Sequence, residues 1–247
     1  MKASLVLVLG FFLAAGVLSA AEQQFSSGPE RASLIELYTS EGCSSCPPAE
    51  KWLDALRGDP GLWREFVPVA FHVTYWDNLG WLDRFATPAF TRRQYAYADA
   101  WGSGSVYTPC FVRDGAEWRP NDSRPSPSDG NPGVLTIVLL ADGRCRVEFT
   151  PSNVPASSQP FEVHVALLGG GLSSRVTAGE NSGRTLSHEF VVLAVADALM
   201  NPSGNTVTSE LALPKPAESA IPRRALAAWV TRGGDLPSLQ ATGGWLP

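Results

Sequence analysis

Two cysteines stand at a junction in the residue pattern: Cys43-Ser-Ser-Cys46, followed at once by Pro47 and Pro48. Upstream, Ser33-Leu-Ile-Glu-Leu-Tyr38 alternates partly between apolar and polar residues and reads as a strand. Downstream, Trp52, Leu53 and Leu56 recur at three- and four-residue spacing and Gly58 ends the pattern, so Pro47–Arg57 reads as a helix. Prolines suit its first turn, where backbone N–H groups have no partner in any case. A thiol just ahead of a helix N-terminus has its thiolate stabilised by the dipole and the free N–H groups, and the thiolate is the nucleophile of disulfide exchange. Cys43 is therefore the candidate attacking thiol. Cys46, three residues on, can face it and resolve a mixed disulfide. A permanent bridge and half of a zinc site are the other readings of the pair. Zinc normally needs a second cysteine pair or two histidines at matching spacing. His72, His164 and His188 are scattered, so no metal ligands and no cofactor are expected.

Further along, Phe66–Val73 is rich in β-branched and aromatic residues and reads as a strand. A long aromatic loop, Tyr75–Phe85, follows. Thr87 can cap a helix that has Pro88 at its first position and runs to about Trp101. Tyr107–Arg113 returns as a strand, and Asp114-Gly115 signals a hairpin into Glu117 and Trp118. A strand–helix–strand start implies parallel pairing through a crossover.

The composition then changes. Asn121–Pro132 is dense in Pro, Ser, Asp and Gly and reads as a linker or long loop. Strand-like runs recur after it at Val134–Leu140, Arg144–Thr150, Phe161–Leu168, Glu189–Val195, Thr206–Leu213 and Ala225–Thr231, with Asp142-Gly143 as a hairpin between the first two. The expected division is residues 32–118, an α/β domain; 119–133, linker or long loop; and 134–247, a β-rich, sandwich-like unit. Glu22–Arg31 reads as a flexible leader, and Gly243–Pro247 is a tail without assignment.

The order strand, C-x-x-C, helix, strand, helix, Tyr107-Thr-Pro109, strand resembles a thioredoxin-fold core over Leu34–Arg113. Most of the chain resembles a family of exported thioredoxin-like bacterial proteins, domain of unknown function 1223. The matching segments are Glu36–Pro48, Phe71–Asp77, Leu79–Trp81, Tyr107–Pro109 and Gly179–His188. The resemblance implies an α/β thioredoxin-like fold followed by the β-rich unit, with a redox-active dithiol. It also implies a cis-proline at Pro109 facing that dithiol, so that Thr108 and Pro109 shape a substrate groove. Thioredoxin places a buried acid before its dithiol as a proton relay. Glu36 lies one residue further upstream and is a candidate for that role. Side-chain alternation turns it towards the other face, which favours an edge or surface carboxylate.

Cys110 follows Pro109 directly. It could be a third redox or metal-binding thiol, a buried free cysteine, or one end of a bridge. By alternation it turns away from the dithiol, and a Cys110–Cys145 bridge stapling the two units is expected. Tyr75, Trp76, Trp81 and Phe85 are either a rim beside the dithiol, with Trp76 in the groove, or aromatics that pin the loop to the core; the second reading is preferred. Asp77 is expected to accept from a backbone donor or a tryptophan. Glu180 and Arg184 can pair, and His188 reads as a hydrogen-bonded structural residue.

Met1 and Lys2, the apolar run Ala3–Leu18 and the small residues Ser19, Ala20 and Ala21 describe a signal peptide over residues 1–21. A periplasmic or secreted protein is expected, with no membrane span once the signal is removed. Four cysteines suit an oxidising compartment. With 19 basic against 24 acidic residues, the charge gives no case for nucleic acid or anionic membranes. The expected function is an exported thiol–disulfide oxidoreductase acting on protein or small-molecule thiols and disulfides. The alternatives are a binding module with a structural disulfide and, as a minor option, a Cu(I)-handling protein.

Overall fold

A computed structural model describes residues 23–121, 124–152, 160–218 and 220–247; the expected signal peptide lies outside them. The strands are β1 (Gln24–Ser26), β2 (Ser33–Thr39), β3 (Phe66–His72), β4 (Cys110–Arg113), β5 (Ala116–Trp118), β6 (Gly133–Leu139) and β7 (Arg144–Pro151). They continue with β8 (Phe161–Gly170), β9 (Leu172–Arg175), β10 (Thr185–His188), β11 (Val191–Ser203), β12 (Thr206–Ala212), β13 (Arg223–Arg232) and β14 (Ser238–Trp245). The helices are α1 (Cys46–Ala55) and α2 (Pro88–Ala100).

Every residue of β2 and β3 is buried. Burial on both faces explains the apolar run of β3, and the polar residues of the partly alternating β2, Ser33, Glu36 and Thr39, are hydrogen-bonded within the protein. They pair in parallel, Ser33 opposite Phe66 through Thr39 opposite His72, with α1 as the crossover. β4 runs antiparallel to β2. The turn into β5 has Asp114 and Gly115 both at positive φ, the conformation a two-residue hairpin requires. Thr87 caps α2, its side chain accepting from the backbone N–H of Phe90 at 3.2 Å.

The fold class departs from expectation. The molecule is β-rich, built on one mixed sheet of 12 strands, and is not an α/β fold with a separate β unit behind it. The order is β1-β6-β7-β12-β11-β3-β2-β4-β5, with β8 paired to β11, β13 to β8 and β14 to β13. The join is β11. Val191 pairs in parallel with Ala70 of β3, and Ala70 donates to the Phe190 carbonyl at 2.8 Å. Further on, β11 pairs antiparallel with β8, and at its far end with β12. A buried strand edge cannot leave its N–H and C=O groups without partners. The C-terminal half supplies the missing neighbour for β3, and the sheet continues through it.

Two further expectations change for the same reason. The supposed leader contains β1, paired with β6, and the unassigned tail lies largely in β14. Gly243 and Gly244 let the Trp63 and Phe25 rings lie directly on the β14 backbone, where any Cβ would collide. The sheet folds over on itself, so that Leu135, Ile137 and Val147 pack in one core with Val163, Val165 and Leu226. A second core gathers β2, β3, α2 and the other face of β13 around Tyr38, Phe71 and Trp229.

Candidate functional site

β2 ends at Thr39 and the chain turns through Ser40, Glu41 and Gly42 to the dithiol. Cys43 donates its backbone N–H to the Ser40 carbonyl at 3.1 Å. Cys43 and Cys46 form a disulfide with a Cα separation of 5.5 Å, and α1 begins at Cys46 with prolines in its first turn. Both cysteines are 0 % exposed, whereas Ser44 and Ser45 between them are exposed. The Ser45 hydroxyl lies 3.3 Å from Cys43 Sγ.

Trp76 stands between this turn and the Thr108–Pro109 peptide, which is cis. Its indole N–H donates to Thr108 Oγ1 at 2.7 Å. A Cβ on Gly42 would meet Trp76 Cβ at 3.0 Å, so the turn packs closely against Trp76 and a side chain there would press on it.

A second layer holds the turn from the C-terminal half. Glu180 accepts from both the backbone N–H and the hydroxyl of Ser44, at 2.9 and 2.7 Å. The Asn181 amide donates to the carbonyls of Glu41 and Cys43, at 2.9 and 2.8 Å. Beneath lies a buried network of charged groups. His188 Nδ1 is 2.6 Å from Glu50 Oε2 and its Nε2 is 3.0 Å from Glu41 Oε1. Thr39 donates to Glu50 Oε1 at 2.5 Å, and the Trp81 indole to Glu41 Oε2 at 2.8 Å. His72 Nδ1 is 2.7 Å from Asp83 Oδ2, which also accepts the Glu41 backbone N–H. Burial works against a charged His188, but its bonds to Glu41 and Glu50 outweigh that and push it up to about 10. Burial opposes charge on Glu50 as well, and His188 overrides it, lowering the carboxyl.

A family model described as protein of unknown function (DUF1223) matches residues 34–231. The chain belongs to the DUF1223 family. No curated protein sequence matches it. The crystal structure of protein AGR_C_4864 from Agrobacterium tumefaciens is similar over 87% of this DUF1223 chain and 94% of its own, with 22% identity and a TM-score of 0.60. HBP35 of Porphyromonas gingivalis is similar over 88% of this chain and 76% of its own, with 14% identity and a TM-score of 0.58. At such identities the likeness shows the fold alone. Among the described residues, no helix is long and apolar enough to cross a membrane.

In this DUF1223 chain, Trp76 packs on Gly42 of the Cys43–Cys46 turn and binds the Thr108 hydroxyl next to Pro109. Glu36 does not join them. Its carboxylate takes a bidentate pair of bonds from Arg93 at 2.7 and 3.0 Å, and hydroxyls from Tyr38 and Tyr97. It is buried rather than at a surface or edge. The Cys110–Cys145 bridge is absent: both are free, buried thiols. Burial pushes each thiol up to about 11. Arg184 binds the Asn181 side chain, not Glu180. Asp77 accepts from the backbone N–H of Asp83, and the aromatic loop is pinned through Tyr75, Trp76 and Trp81.

Glu41, Glu50, His72, Asp83, Glu180 and Asn181 were not legible as site residues. His72 and His188 are 116 positions apart in sequence yet their ring centroids are 5.3 Å apart. The only local signal was Glu50, one turn of helix beyond Cys46, on the same face.

Proposed function

We propose that this chain is an exported thiol–disulfide exchange protein whose working pair is Cys43–Cys46. The observation that supports this reading is the placement of the disulfide at the N-terminus of α1, with Trp76 linking its turn to the Thr108–Pro109 peptide. In the reduced state the helix N-terminus favours the Cys43 thiolate. That thiolate attacks one sulfur of a partner disulfide, the partner's other sulfur leaves as a thiolate, and a mixed disulfide remains. Cys46 then attacks the Cys43 sulfur and releases the second partner thiol. The reverse sequence oxidises a partner dithiol. Because both cysteines are buried, the exposed Ser44-Ser45 turn must open locally for a partner to reach them.

The same burial favours a second reading, a permanent bridge in a binding module. The reduction potential separates them. Equilibration with a thiol–disulfide buffer is expected to give a value above roughly −300 mV, within the range of catalytic pairs. Dithiothreitol-coupled turnover of a model disulfide is expected to be lost in Cys43→Ser. Equal turnover in both proteins, or a potential well below roughly −300 mV, would reject exchange in favour of the permanent bridge.

A further inference from the structure

We propose that His72, His188 and Glu50 form a binding site for one divalent first-row transition cation, of the zinc type, buried beneath the dithiol turn. The three residues come from β3, β10 and α1, and all are buried. One ligand-capable atom from each lies within 4.8 Å of the other two. His72 supplies the observation that points to a ligand. The residue is 0 % exposed, its Nδ1 is held by Asp83, and its Nε2 has no hydrogen-bond partner among the described residues. A buried imidazole nitrogen without a partner is costly in a folded protein, and a cation between the three side chains would satisfy it.

The surroundings have the form of a metal site's outer layer. Metal-bound histidines normally pass their other ring nitrogen to a carboxylate, which fixes the tautomer and aims the free nitrogen. Asp83 does this for His72 Nδ1 and Glu41 does it for His188 Nε2, leaving His72 Nε2 and His188 Nδ1 to face the centre. Thr39 holds Glu50 Oε1, leaving Oε2 for the ion. Two imidazoles and one carboxylate suit zinc and its neighbours, whereas magnesium and calcium prefer oxygen donors throughout.

The required movement is small. Tetrahedral zinc with bonds of about 2.0–2.1 Å sets its ligand atoms about 3.3 Å apart. The ion therefore takes the place of the 2.6 Å Glu50–His188 hydrogen bond, which widens, while His72 moves in. Three protein ligands leave a fourth position open. Bound there, the ion would tie α1, β3 and β10 together directly under Glu41, whose carbonyl shares Asn181 with that of Cys43.

The test uses the purified chain with the Cys43–Cys46 disulfide intact, so that thiolates do not compete. After chelator treatment, the protein is titrated with Zn²⁺ and separately with Co²⁺, and freed of excess by gel filtration. One equivalent of Zn²⁺ per chain is expected, with a rise in Tm, a tetrahedral Co²⁺ absorption spectrum, and X-ray absorption showing nitrogen and oxygen neighbours only. His72→Gln should abolish stoichiometric binding. Asp83→Asn, which keeps the three ligands, should weaken it 10- to 100-fold. Because either variant can fail to fold, the wild-type measurements decide. Less than a tenth of an equivalent retained, or sulfur neighbours in the absorption spectrum, overturns the proposal.

Discussion

The side chain of Asn181 donates a hydrogen bond to the backbone carbonyl of Cys43 across 138 positions of sequence, at 2.8 Å. The same amide reaches the Glu41 carbonyl at 2.9 Å. One residue from the C-terminal half thus fixes the path of the turn that carries the disulfide. Removing it strips the Glu41 carbonyl of its side-chain donor and leaves the Cys43 carbonyl only the Cys46 backbone N–H at 3.3 Å, in a region where Glu41, Gly42 and Cys43 are all buried. Asn181→Ala should cost about 1–3 kcal/mol of stability, the penalty for one orphaned buried group. Urea unfolding followed by tryptophan fluorescence measures this, and a change under half a kcal/mol would show that water replaces the amide.

Glu180 sets a negative charge at the point where the helix N-terminus would favour the Cys43 thiolate. Its carboxylate takes up the Ser44 N–H and hydroxyl. In the reduced protein, Glu180→Gln keeps an acceptor for Ser44 and removes the charge. The Cys43 thiol pKa should fall by roughly half a unit or less, since the carboxylate is solvated and screened. Thiolate absorbance near 240 nm against pH reads it without any assumption about turnover. A rise instead of a fall would mean that the carboxylate acts only as a structural cap.

Glu36 and Arg93 form a buried bidentate pair, with Arg93 also lying over the Trp229 ring at 5.5 Å. Glu36→Gln leaves the guanidinium without its counter-charge and should destabilise by about 3–5 kcal/mol. The double variant Glu36→Leu with Arg93→Met should recover much of that loss. Neither should change the rate at which Cys46 resolves a mixed disulfide, once compared at temperatures where each is folded. A slowed resolving step would restore Glu36 as a proton relay.

Cys110 and Cys145 are buried, and burial pushes both thiols up to about 11, above the ordinary value near 8.5. In native protein at pH 8 they should stay unmodified by iodoacetamide for hours, and both should label in urea, as counted by mass spectrometry. The raised values also fix the sign of a pH effect. Below about pH 8.5 the thiols are neutral folded or unfolded. Between about 8.5 and 11 the unfolded chain loses these protons and the folded chain does not, so stability declines as pH rises through that window. Cys110→Ala and Cys145→Ala should flatten the decline in Tm between pH 8.5 and 10.5; an unchanged slope would assign it to other groups.

Local pattern was enough for several elements. The partly alternating pattern of β2, the β-branched and aromatic run of β3, the prolines opening α1, Thr87 ahead of α2 and the Asp-Gly turns each act through their immediate neighbours, and each is found where the sequence places it. The dithiol's place at a strand end and helix start was legible for the same reason. The fold class was not. Whether β3 stands at an edge or inside a larger sheet depends on Val191, more than a hundred positions away, and β-strand pairing partners leave no periodicity in the sequence. The bridge between Cys110 and Cys145 failed as an expectation because alternation says which way Cys110 faces along its strand and nothing about how far away Cys145 lies.

By itself the sequence determined the local pattern of several strands and both helices and the position of the Cys43–Cys46 pair at a strand end and helix start, because backbone sterics and capping are short-range. Only the tertiary structure decided what surrounds that pair. It brought His188, Asn181 and Glu180 under and over the turn, gathered Glu41, Glu50, His72 and Asp83 into one buried network, and turned Glu36 towards Arg93 instead. Those placements follow from burial. Charged side chains excluded from water must find one another, and the sheet that joins the two halves of the chain dictates which of them can meet.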